Sequence, residues 1–118
     1  MDKKEVLVNH GSLLKFVTAL FEKTGLSAEN AAFFAKSLVD INLWGIDSHG
    51  VLRVPIYVKR LKSRACNPQP NIKTIKSAIT LEVLDGDDGP GQIVGLAAMK
   101  RAIELAKTYN IGMVGAIR

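Results

Sequence analysis

The sequence predicts an α+β chain in which an N-terminal helical unit, residues 1–64, is followed by the start of a mixed α/β domain, residues 65–118. Three observations predict it. Apolar residues recur with helical spacing from Leu13 to Leu61, a proline-marked stretch follows at residues 65–71, and from Ile72 onward the pattern switches to strand, helix, strand. With 118 residues and 47% hydrophobic content the chain is long enough to bury one core.

Each element has a local cause. Glu5 to Val8 has the composition of a short strand. Asn9 is a suitable helix N-cap, since its side-chain carbonyl can accept from an early backbone N–H. Leu13, Leu14, Phe16, Val17, Leu20 and Phe21 then line one helical face, with Gly25 as terminator. Ser27 caps a second helix, with Glu29 in its positive first turn. Ala31, Phe34, Ala35, Leu38, Val39 and Asn42 carry the pattern to Trp44, and Gly45 supplies a left-handed stop.

From Val51, the spacing Val54, Tyr57, Val58, Leu61 predicts a third helix with Pro55 in its first turn. The segment Ala65 to Asn71 holds two prolines and reads as a linker. Ile72 and Thr74, then Ile79 to Leu84, alternate as two strands. Ile93 to Ala106 forms a fourth helix that ends near Asn110 to Gly112, and Met113 to Ile117 reads as a buried strand. A buried strand needs neighbours on both edges, and the chain offers few, so further strands are expected from elsewhere.

The net charge of +5 is scattered, with no basic stripe, and aromatic residues make up only 6% of the chain. Both argue against nucleic-acid binding. Cys66 is the only cysteine, which excludes an internal disulfide and a thiolate metal site and suits a reducing, cytoplasmic setting. No segment has the apolar length of a membrane span, and none has the pattern of a signal peptide. No metal site is expected.

Chemistry concentrates in two glycine-hinged loops. The first, Gly45-Ile46-Asp47-Ser48-His49-Gly50-Val51-Leu52-Arg53, holds an acid, a hydroxyl, an imidazole and a guanidinium. Histidine exchanges a proton near neutrality, and arginine pairs with a carboxylate through two parallel hydrogen bonds. If Ser48 caps the following helix, His49 and Arg53 share one face of it, with Tyr57 a turn further on. Asp47 and Ser48 serve equally well as plain helix caps, and Arg53 and Tyr57 suit a solvated helix face. His10 has no such neighbours.

The second loop, Asp85-Gly86-Asp87-Asp88-Gly89-Pro90-Gly91-Gln92, opens a helix and offers backbone N–H groups to an anion. Its three acids would repel a phosphate unless they turn away, and a tight strand-to-helix turn explains the same composition.

At these residues the sequence resembles the type-2 malate/L-lactate dehydrogenase family, which includes ureidoglycolate, sulfolactate and diketogulonate oxidoreductases. The resemblance rests on the Gly45 to Gly50 run, Arg53, Pro55, Tyr57, Arg60-Leu61, Asn67-Pro68 and the Asp85 to Gln92 loop, in the same order and at similar separations. It implies a non-Rossmann, sulfolactate dehydrogenase-like fold and an enzyme that uses NAD or NADP to interconvert a 2-hydroxy acid and a 2-oxo acid. By the resemblance, His49 and Ser48 are catalytic candidates beside substrate and cofactor, and His49 donates the proton. Arg53 and Tyr57 are substrate-binding candidates, and Gly91 and Gln92 mark the cofactor edge. The family continues beyond the residue matching Arg118 into an Asn-Ser-Asn-His-Phe-Gly run and a long remainder. The expectation is therefore the first third of such an enzyme, a truncated or split chain. Its partners would be a small 2-oxo or 2-hydroxy acid and either further copies of itself, as a homo-oligomer, or a complementary C-terminal fragment. An inactive remnant is the alternative.

Overall fold

The computed structural model describes residues 6–118. It divides into two compact units, one up to Val58 and one from Lys59.

The first unit is built on two packed helices, α1 (His10–Glu22) and α2 (Ala28–Leu43). Their caps form as the sequence predicts. Asn9 accepts from the Ser12 N–H at 3.0 Å and Ser27 from the Asn30 N–H at 3.2 Å, each satisfying a donor that the helix leaves orphaned. Gly25 and Gly45 close the helices with φ of 99° and 79°, a region in which a side chain would be strained. The core centres on Phe21 and Phe34, both fully buried and stacked with centroids 4.5 Å apart. Residues 6–8 are not part of a strand, and Glu5 lies outside the described residues.

After α2 the chain does not enter an α-helix at once. Two 3₁₀ turns, Asp47–His49 and Val51–Arg53, precede α3 (Val54–Lys62), so the third helix starts three residues later than its apolar spacing suggests. Gly50 separates the turns with φ −86° and ψ −141°, which breaks the helical hydrogen-bond pattern.

The second unit holds a three-stranded sheet of order β1-β2-β3 and one long helix. Strand β1 (Lys73–Ser77) pairs antiparallel with β2 (Leu81–Asp85), and β3 (Met113–Ile117) pairs parallel with β2, joined to it through α4 (Gly91–Tyr109). Antiparallel neighbours need only a tight turn, whereas the parallel pair needs the crossover that α4 provides. Asn110 ends α4 in the left-handed conformation with φ 67°.

Leu84, Ile93, Val94 and Leu105 are buried between sheet and helix, and Glu82 is buried with them at 4% exposure. Its carboxylate is held by a fork from Arg101, Nε to Oε2 and Nη2 to Oε1 both at 2.8 Å, while Arg101 Nη1 reaches Glu104 at 2.9 Å. A buried carboxylate survives only with such a partner, so the pair ties α4 to β2. The Arg101 fork holds the Glu82 carboxyl below its ordinary value, and Glu82 in turn raises Arg101.

Two expectations need correction. Strand β3 is not buried: Met113 is 62% and Ile117 50% exposed, because β3 pairs with β2 alone and α4 covers only part of it. Nor is the 65–71 segment a free linker. The Asn67 N–H donates to Asp88 O at 2.8 Å, and the Asp87 carboxylate accepts from Asn67 Nδ2 at 2.9 Å and from the Asn71 N–H at 2.8 Å. Pro68 is buried, so the segment is a strap bound to the acidic loop.

Candidate functional site

The candidate site grows from the end of α2. Gly45 turns the chain out of the helix, and the 3₁₀ turns then place Ser48, His49 and Arg53 together in an exposed loop of the first unit. Ser48 does not cap a helix. Its Oγ lies 2.8 Å from His49 Nδ1, so the hydroxyl is spent on the imidazole. That contact occupies Nδ1 and leaves Nε2 as the nitrogen available to a reactant.

Arg53 folds back over the same turn, its Nε donating to Ser48 O at 2.8 Å. Nη1 and Nη2 have no partner among the described residues, which leaves one edge of the guanidinium open to a carboxylate. Arg53 is thus tied to the turn that carries His49 by its bond to the Ser48 carbonyl. The two residues do not sit on one face of an α-helix, because Gly50 interrupts the helical register between them.

Tyr57 lies one turn into α3 with its ring set edge-on against Phe34, centroids 4.9 Å apart and planes at 65°. It is half-buried and rests on the aromatic core. A surface cavity of about 590 Å³, lined by Asn42, Asp47, Ser48, Val51, Leu52 and Pro55, opens beside the loop. Its size suits a small organic molecule, and Asp47 and Ser48 are the polar residues shared by cavity and loop.

Asn42 escapes a reading based on residue type alone. Its Nδ2 donates to Asp47 Oδ1 at 2.6 Å and its Oδ1 accepts from the Val51 N–H at 2.7 Å. The available signal is a lone amide that continues the apolar pattern of α2 one turn before the loop.

In the second unit, Gly91 and Gln92 begin α4. The helix has no acidic residue in its first turn and no side-chain cap from Pro90, and the Ile93 and Val94 N–H groups donate to Pro90 O at 2.9 and 3.0 Å, so what it offers an anion is the positive end of its dipole. Two of the three neighbouring acids are held by partners. Asp85 is ion-paired with Arg118, Asp87 is bound to Asn67 and Asn71, and Asp88 lies in the field of Arg118. Arg118 and the Asp87 N–H, which donates to Asp85 Oδ1 at 2.9 Å, hold the Asp85 carboxyl below its ordinary value. The start of α4 therefore presents its dipole to an anion, with Arg118 facing the acids of the preceding loop. The φ values of 52° at Asp87 and Asp88 and the bond from Gly89 N–H to Gly86 O also mark the loop as a tight turn.

Among the described residues, no group of three or more His, Cys, Asp or Glu is placed to hold a metal ion, and no helix is long and apolar enough to cross a membrane.

A family model described as malate/L-lactate dehydrogenase matches residues 8–118. The malate dehydrogenase of Pyrococcus abyssi is 40% identical over 114 residues, 97% of this chain and 32% of that protein. The L-sulfolactate dehydrogenase of Methanocaldococcus jannaschii is 41% identical over 100 residues, 85% of this chain and 29% of that protein. The solved malate dehydrogenase of Pyrococcus horikoshii OT3 superimposes with a TM-score of 0.93 at 37% identity, covering 98% of this chain and 33% of that one. The chain thus spans about a third of the length of the relatives it matches.

Proposed function

The chain belongs to the malate/L-lactate dehydrogenase family, and from that membership we propose that it supplies the carboxylate-binding and proton-donating side of an oxidoreductase interconverting a 2-hydroxy acid and a 2-oxo acid. The observation that carries the reading is the cluster of Ser48, His49 and Arg53, with one ring nitrogen and one guanidinium edge left open.

In the reducing direction, Arg53 pairs with the substrate carboxylate through Nη1 and Nη2. That fixes the adjacent carbonyl near the loop. His49, oriented by Ser48, donates a proton from Nε2 to the carbonyl oxygen as that oxygen becomes a hydroxyl. In the oxidising direction the same nitrogen accepts the hydroxyl proton. Tyr57, braced by Phe34, walls the substrate side. When bound, NAD or NADP supplies or takes up the hydride, and Gly91 and Gln92 at the start of α4 are the residues of this chain that would hold one of its phosphates.

Ser48, His49 and Arg53 are all exposed. Hydride transfer needs both reactants held at near-attack distance in a shielded pocket, so the chain by itself is expected not to turn over. The site closes when the remainder of a family chain is supplied, as a separate polypeptide or within an oligomer. The single, half-buried cysteine suits a cytoplasmic setting.

The test follows NADH and NADPH oxidation with a panel of small 2-oxo acids, using the chain alone and together with a polypeptide providing the other two thirds of a family member. Turnover in the pair and its loss in His49→Ala support the reading. Undiminished turnover in His49→Ala, or none in the pair, refutes it.

A further inference from the structure

We propose that Asn42 is a positioning residue for this reaction, setting the spacing between the turn that carries the proton donor and the turn that carries the carboxylate-binding arginine. The inference rests on the functional reading above. Its own basis is the placement of one amide between two short turns.

Asp47 opens the turn that holds Ser48 and His49, and Val51 opens the turn that holds Arg53. Asn42, fixed on α2, touches the first residue of each. Nδ2 donates to Asp47 Oδ1 at 2.6 Å, and Oδ1 accepts from the Val51 N–H at 2.7 Å. The two bonds have opposite polarity, so they also fix which end of the amide is which.

Only a group that donates and accepts within one short fork can span both turns. Aspartate at this position would accept from Val51 but face Asp47 with a second carboxylate, and leucine would do neither. Gly50, between the turns, leaves room for the amide, since a Cβ there would lie 2.1 Å from Asn42 Oδ1. A short 3₁₀ turn has few backbone bonds of its own; besides the Asn42 fork, the turns are tied through Gly50, whose N–H donates to Asp47 O at 3.2 Å and whose carbonyl accepts from the Arg53 N–H at 3.0 Å, and by the bond from Arg53 Nε to Ser48 O at 2.8 Å. Loss of the Asn42 fork removes the anchor that holds both turns to α2, and so loosens Arg53 relative to His49.

The opposite polarity of the two bonds permits a rescue. In Asn42→Asp the donor to Asp47 is lost. In the double variant Asn42→Asp with Asp47→Asn, the donor returns from the opposite side and the acceptor for Val51 is kept. The experiment measures kcat and KM for a 2-oxo acid, and KM for NADH, in the turnover-competent pair described above. Three forms are compared: unaltered, Asn42→Asp and the swapped double variant.

A displacement of about 1 Å in a positioned group costs on the order of 100-fold in rate. Asn42→Asp is therefore expected to lower kcat/KM for the 2-oxo acid about 10- to 100-fold and raise its KM, with KM for NADH unchanged. The double variant is expected to return to within about threefold of the starting activity. Unchanged kcat/KM in a folded Asn42→Asp protein, or no recovery in the folded double variant, overturns the positioning role and leaves the functional reading standing. A residue needed only for folding would lower the thermal midpoint without changing kcat/KM of the folded enzyme, and that result also overturns it. Absence of turnover in the unaltered pair removes both the reaction and the role assigned within it.

Discussion

Replacing Gly50 by alanine is expected to unseat the Asn42 amide, and the cost can be worked from the contacts. The added Cβ would lie 2.1, 2.5 and 2.8 Å from Oδ1, Cγ and Nδ2 of Asn42. All three atoms belong to one side chain, so the clash is relieved by swinging that amide away and needs no backbone shift. The swing forfeits the bond to the Val51 N–H and the bond to Asp47. A neutral backbone bond contributes about 1 kcal/mol, and a partly exposed charge-assisted bond contributes about the same, so the loss is about 2 kcal/mol. Asn42→Ala forfeits the same two bonds and costs a similar amount.

Independent effects would sum to about 4 kcal/mol in the double variant. Because the two substitutions remove one interaction, the double variant is expected to lose only about 2 kcal/mol, a coupling of about 2 kcal/mol. Urea unfolding of the four proteins measures this as a shift in midpoint at constant slope. Additive losses would refute the reasoning, as would a Gly50→Ala protein as stable as the unaltered one.

Gly112 poses the opposite case. A Cβ there would lie 2.3 Å from Ala102 O, 2.8 Å from Leu105 Cβ and 3.0 Å from Ala106 N, mostly helix backbone that cannot swing aside. Gly112→Ala is expected to cost about 2–3 kcal/mol in urea unfolding and to weaken amide-exchange protection in β3 before that in α1. Glu82 and Asp85 are both held below their ordinary values of 4.5 and 3.8 by arginine partners. Their stabilising contribution is complete above those values and is lost as pH falls through the lowered ones, so the second unit should weaken in acid. Glu82→Gln should flatten that acid limb in a pH series of thermal midpoints, and an unchanged limb would count against the pairing. Burial pushes the Cys66 thiol above its ordinary value and Asp88 adds to this, with Arg60 opposing. Alkylation of native protein at pH 7 should accordingly be much slower than in urea, and equal rates would contradict that environment.

The elements that the sequence makes legible have causes within a few residues. Asn9 and Ser27 cap where side-chain oxygens meet orphan N–H groups, Gly25 and Gly45 stop helices by left-handed geometry, and period-two alternation marks β2. What escapes the sequence depends on partners distant in the chain. The strap at residues 67–71 looks like a linker because its prolines are local, while its bonds to Asp87 and Asp88 come from about twenty residues away. Glu82 stands in a strand of alternating pattern with nothing beside it in sequence to mark it as buried, and it is buried because Arg101 on α4 reaches it.

The candidate site shows the same division. Ser48, His49 and Arg53 stand out by residue type, but a helical spacing rule places them on one α-helical face. Gly50 and Asn42 instead build two 3₁₀ turns, and Arg53 meets the turn that carries His49 through its bond to the Ser48 carbonyl.

The parallel pairing of β2 with β3 also sets the order in which the chain can acquire structure. Leu81 pairs with Met113 and Asp85 with Ile117, so each rung closes a loop of about thirty residues containing all of α4. Such closure pays its chain entropy before any rung rewards it, and it is slow compared with docking two neighbouring helices. On a ribosome, α1 and α2 can pack while β3 is still in the exit tunnel. The turns bearing His49 and Arg53 are therefore set on a formed scaffold before β3 is released to pair with β2.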